Sequence, residues 1–390
     1  MIANPHVVFS TLRMKAAYAT AATISSIGWG LYFAFATRYI AVELGGGPTA
    51  TVAFVGFGWV FTLLGIFAGK IASILGERST ILIGLLQALP ITAGLYVKDP
   101  LLLAFLLSTV NFPWVIHWSI VLKVVFSRAS EKPGREYSEV TIGTGVGFAA
   151  GSVASGLIYA NWGASGVFLL DAALLLVPPL VYYLSYPEIP RADLGSGGSS
   201  VHSVIEKILP ALISLMLVVF GRELLYSLAP VKLNVSIERV LPALSEWAKY
   251  AVYGLVFSGG AIISPLVRLL AGYLVDSRGP VKVYAYTTLG YALLYWLFMK
   301  TSGLIPIVLW QMPLFPFLDT AFNVYIAKKL EREELVTGFG ASYTFTAIGG
   351  ASIIPLLLMG EVNVDYAGSL VTAACITSII LMVKNGSRRS

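Results

Sequence analysis

Runs of about 20 apolar residues recur along all 390 residues of the sequence, and no other feature restricts its fold so severely. Each run is long enough to cross the roughly 30 Å hydrocarbon core of a bilayer as an α-helix. Inside that core a backbone N–H or C=O finds no water, so a spanning segment bonds to itself as a helix or joins a closed barrel. Barrel strands alternate apolar and polar residues over segments of about ten, and that alternation is missing here. Composition agrees: 57% of residues are hydrophobic and only 12% charged, against about 25% charged in soluble domains. The sequence predicts an all-α polytopic membrane protein.

Polar or Gly/Pro joints divide the runs into twelve spans, at roughly 16–41, 49–71, 79–97, 100–126, 138–161, 163–186, 204–230, 246–270, 280–299, 304–328, 337–359 and 363–384. The stretch from Pro187 to His202, PEIPRADLGSGGSSVH, reads as a flexible linker. The expected layout is a six-helix bundle over 1–186, a cytoplasmic linker over 187–203 and a second bundle over 204–390. An even number of spans puts both termini on one side. Nineteen of the 26 Lys and Arg residues, Arg268 among them, fall on that side, six on the other, and Arg222 lies inside a span. The positive-inside rule then places both termini in the cytoplasm of a plasma-membrane protein. Loop charge also accounts for the net +6 without a nucleic-acid partner. A lone cysteine, Cys375, forms no internal disulfide, and His6, His117 and His202 are too scattered for a metal site. No cofactor or metal is expected. Between spans seven and eight, Ile237, Val240, Leu241 and Leu244 recur at helical spacing, predicting a short interfacial helix over 231–247.

A polar hinge from Gly272 to Lys282, GYLVDSRGPVK, joins spans eight and nine. At an offset of 203 residues, Gly69 to Thr80, GKIASILGERST, joins spans two and three. The same offset carries Phe112-Pro113-Trp114 onto Phe315-Pro316-Phe317, and Gly147 onto Gly350, which marks an internal repeat. The second hinge resembles the cytoplasmic loop motif of the major facilitator superfamily, Gly-x-x-x-Asp-Arg/Lys-x-Gly-Arg/Lys-Arg/Lys. Gly272, Asp276 and Gly279 match in place, with Arg278 and Lys282 as displaced bases. In the first hinge Gly69, Gly76 and Arg78 match, but Ser73 stands where the aspartate belongs and Glu77 replaces a base. The resemblance implies two pseudo-symmetric six-helix bundles rocking around a central site, with the loop aspartate latching them on the cytoplasmic side. Glu131, Glu136, Glu139, Glu331, Glu333 and Glu334 are the acids available to pair with Arg78, Arg278 and Lys282.

A charge at the bilayer centre costs about 2.5–3.5 kcal/mol on insertion scales, so an ionisable residue within a span points to function. Asp171 in span six, Arg222 and Glu223 in span seven and Asp319 in span ten qualify, with His117 in span four. Arg222 is the natural anchor for an anion, because a guanidinium forks a carboxylate or phosphate; its structural alternative is an ion pair with Glu223, Asp171 or Asp319. Neighbours on a helix point about 100° apart, so Arg222 and Glu223 are expected to serve different targets. Pro313 and Pro316 remove backbone donors and bend span ten ahead of Asp319, and Asn323 shares its face. Asp319 and Glu223 are therefore the candidates for proton coupling, the alternative being a hydrogen-bonded structural aspartate. Asp171 and His117 read as packing residues. In the resembled family, helices one, four, seven and ten line the cavity, which implies solute contacts at Tyr32, Asn111, Trp118, Arg222, Tyr226 and Asn323. Gly147-x-x-x-Gly151 allows close backbone approach and is expected at the interface between halves.

These features favour a secondary transporter moving a small polar or anionic organic solute by alternating access, coupled to protons as a symporter. The Trp- and Tyr-rich spans offer a second reading, an efflux carrier for amphipathic compounds, although the Gly-Pro step common to proton antiporters is missing from span five. A membrane-embedded enzyme would need an acidic metal-binding cluster such as Asp-x-x-x-Asp, and none occurs. Bilayer, solute and protons are the expected partners of a monomer.

Overall fold

The computed structural model describes residues 5–128, 131–187, 200–243, 246–358 and 363–386, and all regular structure among them is helical. Of the linker expected over 187–203, residues 188–199 lie outside these residues, and 201–203 already belong to the helix of the seventh span. The first span is Pro5–Arg38. Thr49–Leu75, Glu77–Tyr96 and Pro100–Ser127 follow, then a 52-residue stretch, Pro133–Leu184. That stretch holds the fifth and sixth spans, because Gly163, at φ 63° and ψ −168°, breaks the helix within it. Val201–Val240 is the seventh span, and the eighth contains Leu255–Ile262 and Ser264–Arg278, bent by 44°. Pro280–Lys300, Leu304–Lys329, Leu335–Ala351 with Ile354–Leu358, and Val364–Gly386 complete the twelve.

Seven of these stretches, the 52-residue one counted once, are long and apolar enough to cross a membrane unaided, and the bent pair adds an eighth. Spans one, nine and eleven are richer in Gly, Ala, Ser, Thr and Tyr, residues that suit helix–helix contact better than lipid. Large apolar side chains such as Leu157, Leu266, Leu293 and Ile380 stand exposed on the outer surface, where a soluble protein would carry charge. Helix ends follow local chemistry. Asp99 Oδ1 accepts the Leu102 N–H at 2.7 Å, capping the fourth span just before Pro100.

The repeat seen in the sequence is a repeat in space. Gly76 (φ 78°, ψ 144°) and Gly279 (φ 86°, ψ 148°), 203 positions apart, turn the corner of the two hinges with nearly the same left-handed backbone. A Cβ on Gly69 would lie 2.0 Å from Thr337 Oγ1, and one on Gly272 would lie 2.6 Å from the Gly134 carbonyl oxygen. Residues 134 and 337 are themselves 203 apart, so each hinge glycine presses on the equivalent place in the opposite half. The halves therefore meet closely at the end that carries the hinges.

Two expectations are corrected. Residues 231–240 form no separate interfacial helix but continue the seventh span to Val240. Leu233, Ser236 and Ile237 are buried there, and Lys232 Nζ donates to the Met299 carbonyl at 2.9 Å, so continuing the helix satisfies groups that a break would expose. The second correction concerns Gly147 and Gly151, which pack on the first span of their own half. Cβ atoms there would lie 2.6 Å from the Thr23 carbonyl oxygen and 2.0 Å from that of Ile27. The close approach to the second half belongs instead to Gly145, against Ser264 and Ala261.

Candidate functional site

Polar groups lie in three layers, the first two of them across the contact between the halves. At the hinge end, both carboxylate oxygens of Asp276 accept backbone N–H groups from the first half, Gly134 and Arg135, at 2.8 Å each. These amides open the helix Pro133–Val140, where free N–H groups and the helix dipole favour an anion. Among the described residues the first hinge makes no such latch. Ser73 donates to the Lys70 carbonyl within its own helix. Glu77, at the departed motif position, bonds to Lys123 and accepts from Tyr186 Oη at 2.9 Å, clamping the first bundle to itself. Burial and the neighbouring Glu77 push the Tyr186 phenol well above its usual range, so it remains a donor.

The expected pairing of Arg78, Arg278 and Lys282 with the acidic clusters does not occur among the described residues. Arg78 lies over the Tyr183 ring at 4.6 Å and donates to that residue's carbonyl. Glu136 and Glu139 pair with Lys15, and Glu334 with Lys207. A backbone-bound Asp276 supplies the contact between halves that those pairs were expected to make.

One layer further into the membrane, Asp319 lies at the centre of a network that crosses the halves. Its Oδ2 accepts Tyr137 Oη at 2.8 Å and Arg268 Nη1 at 3.2 Å, and its Oδ1 accepts Asn323 Nδ2 at 2.9 Å. Arg268 Nη1 also donates to Thr141 Oγ1 at 3.0 Å, and Tyr343 of span eleven stands within electrostatic reach. Tyr137 and Thr141 belong to the first half, Arg268, Asp319, Asn323 and Tyr343 to the second. Span ten is broken as its prolines predict: helix stops at Trp310 and resumes at Phe315. Gln311 caps the gap, donating to the Val256 and Ile307 carbonyls.

Arg222 and Glu223 form the next layer, and they correct the expectation that neighbours would part. Nε and Nη2 of Arg222 both donate to Glu223 Oε1, at 2.9 and 2.5 Å. The long arginine stem folds back across the 100° between the two Cβ directions. Tyr226, one turn on, lies under the guanidinium at 5.8 Å, packs edge-on to Trp310 and is 36% exposed.

The remaining expected contacts are placed differently. Tyr32 is buried, its Oη donating to the Leu107 carbonyl at 2.9 Å among Trp29, Phe33 and Phe54. Asn111 donates to the Ser108 carbonyl and faces Gly58 of the second span. Trp118 packs beside Tyr182 in the first half and stands within hydrogen-bond reach of Tyr343 in the second. Trp114 reaches across the halves to the same residue, edge-on to Tyr343 at 5.2 Å. Asp171 is buried against the first span at Gly28, with Oδ1 unbonded. His117 Nδ1 is satisfied by the Pro113 carbonyl at 2.9 Å, as a packing histidine would be.

Sequence reasoning missed Arg268, Tyr137 and Thr141. Arg268 had been counted with the cytoplasmic charges, but its helix runs on to Arg278, ten residues or about 15 Å further. The signal was present in Gly279, whose left-handed φ is the usual stop after a helix.

Solved structures that share this architecture include transporters. They include the E. coli fucose:proton symporter FucP (TM-score 0.68, 15% identity, 95% of this chain and 98% of that one). The human organic anion transporter MFSD10 aligns with TM-score 0.66 and 14% identity over 96% and 98% of the two chains. A bacterial homologue of the iron transporter ferroportin, in an outward-facing state, aligns with TM-score 0.67 and 15% identity over 96% and 100%. No curated protein matches by sequence. The model of the Major Facilitator Superfamily matches residues 18–355. With that match over most of its length, the chain belongs to the major facilitator superfamily, as a multi-pass membrane transporter and not an enzyme.

Proposed function

We propose that the chain is a secondary transporter carrying a small organic anion together with protons, by alternating access between two six-helix bundles, 1–186 and 204–390. The reading includes a monomer in the plasma membrane with both termini cytoplasmic. One observation carries it: the centre holds two guanidinium–carboxylate pairs, Arg222–Glu223 and Arg268–Asp319. Together the four groups sum to no net charge. An arriving anion must compete with a carboxylate for its arginine, and a proton on that carboxylate removes the competitor. Anion and proton thus favour each other's binding, which is the thermodynamic requirement for symport. Protonation of Asp319 also weakens its hold on Tyr137 in the opposite half, linking the proton to the closure between bundles. The family's fucose:proton symporter and organic anion transporter share this fold and are compatible with such a cargo.

Efflux of amphipathic compounds is a second reading, favoured by the aromatic track Phe33–Trp29–Trp114–Tyr343, which runs from the first span to the eleventh. Uptake of organic anions into proteoliposomes, with and without an imposed pH gradient, separates the two. Asp319→Asn is expected to abolish pH-driven accumulation while exchange persists, and Arg222→Gln to abolish both. Full accumulation by Asp319→Asn would overturn the proton role, and unchanged uptake by Arg222→Gln would overturn the anchor.

A further inference from the structure

We infer that Arg268 is a second anchor for the transported anion, and that the cargo carries two anionic groups joined by a short apolar linker. The inference rests on the anion-carrier reading above and narrows it to a class of substrate. Phe315 is its geometric basis. The Arg222 guanidinium carbon lies 5.6 Å from the Phe315 ring centre and that of Arg268 lies 5.9 Å from the same ring. The two cations can be no farther apart than these distances laid end to end. Phe315 stands one helical turn before Asp319, whose carboxylate reaches Tyr137 of the first half, so the ring shares the face turned toward the opposite bundle. It is 40% exposed, an apolar surface within 6 Å of both cations.

Both guanidiniums keep donors in reserve. Arg222 spends Nε and Nη2 on Glu223, and its Nη1 makes no hydrogen bond among the described residues. Arg268 spends only Nη1, on Thr141 and Asp319. Its Nε is buried with no hydrogen-bond partner among the described residues, in a residue only 6% exposed. Buried donors without acceptors are rare in folded proteins and call for an explanation; a carboxylate of the cargo is an acceptor of the right charge. Two half-used forks with a phenyl ring beside both complement two anionic ends and an apolar middle. A single carboxylate can engage only one fork, so a dianion should bind about tenfold more tightly or better than a monoanion of equal length.

Calorimetric titration of the purified full-length protein with succinate and glutarate, against butyrate and valerate, tests this. The wild type is expected to bind the dicarboxylates at least about tenfold more tightly. Asp319→Asn, which leaves Arg268 in place, should retain that preference. Arg268→Gln combined with Asp319→Asn leaves no unpaired charge; it should bind both classes alike, at the monocarboxylate level. Should the double variant fail to fold, Arg268→Lys, which keeps the charge but loses the fork, is expected to shrink the preference to a few-fold. Equal affinity for both classes in the wild type, or a preference that survives loss of the Arg268 fork, would overturn the second anchor while leaving the anion carrier standing. Binding of none of the four acids would take down both.

Discussion

Removing one charge from the latch should open the hinge end of the protein. Asp276 accepts two backbone N–H groups of the opposite half at 2.8 Å each. Asn in its place keeps the shape but offers one acceptor and turns an amide N–H₂ toward a donor. A hydrogen bond to a charged group is worth about 1.5–3 kcal/mol when shielded; Asp276 is only half-buried, so water competes and the pair together contributes about 1.5 kcal/mol. That corresponds to about a tenfold shift in the ratio of closed to open forms, since the bond exists in only one of them. Ser138 is a suitable reporter: it is fully buried and lies against Gly272, reachable only when the halves part. The one native thiol, Cys375, is buried and can be replaced by Ala. In a Ser138→Cys, Cys375→Ala background, Asp276→Asn should raise the maleimide labelling rate about tenfold. A rate within twofold of the parent would refute the claim that these two bonds hold the closure.

Two further perturbations bear on stability. Glu77→Gln leaves Lys123, only 7% exposed, without its carboxylate, and should cost about 3 kcal/mol; Glu77→Gln with Lys123→Met should recover most of it, as read by thermal unfolding in detergent. Lys300→Ala breaks an ion pair with Asp365 whose side chains are 54% and 65% exposed, and should change unfolding by less than about 0.5 kcal/mol.

The fold was largely legible because a bilayer leaves a chain so few options. Apolar runs gave the spans, and one offset gave the repeat that Gly76 and Gly279 display in matching backbone angles. The hinge motif was legible as well, down to the departure at Ser73. The polar centre was legible only in part. Asp319 and Asn323 are one turn apart on a helix, so their partnership followed from spacing. Tyr137 and Arg268 reach the same carboxylate from helices 182 and 51 residues distant, and no local pattern announces contacts made by packing. Arg268 was also hidden by where its span was taken to end. Counting the helix to Gly279 instead of to the first polar residue would have set it deep in the membrane. Arg222 and Glu223 show the opposite limit: helical geometry fixes where side chains start, whereas long ones choose where they finish.

The paired charges at the centre also have an electrical meaning. A single unpaired charge carried across the membrane feels about 2.3 kcal/mol for every 100 mV. With Arg222 beside Glu223 and Arg268 beside Asp319, the unloaded centre offers the membrane potential no net charge to pull on. The reorientation of these groups should proceed at the same rate in energised and de-energised membranes, and any voltage dependence of the full cycle must enter with the ions that load it.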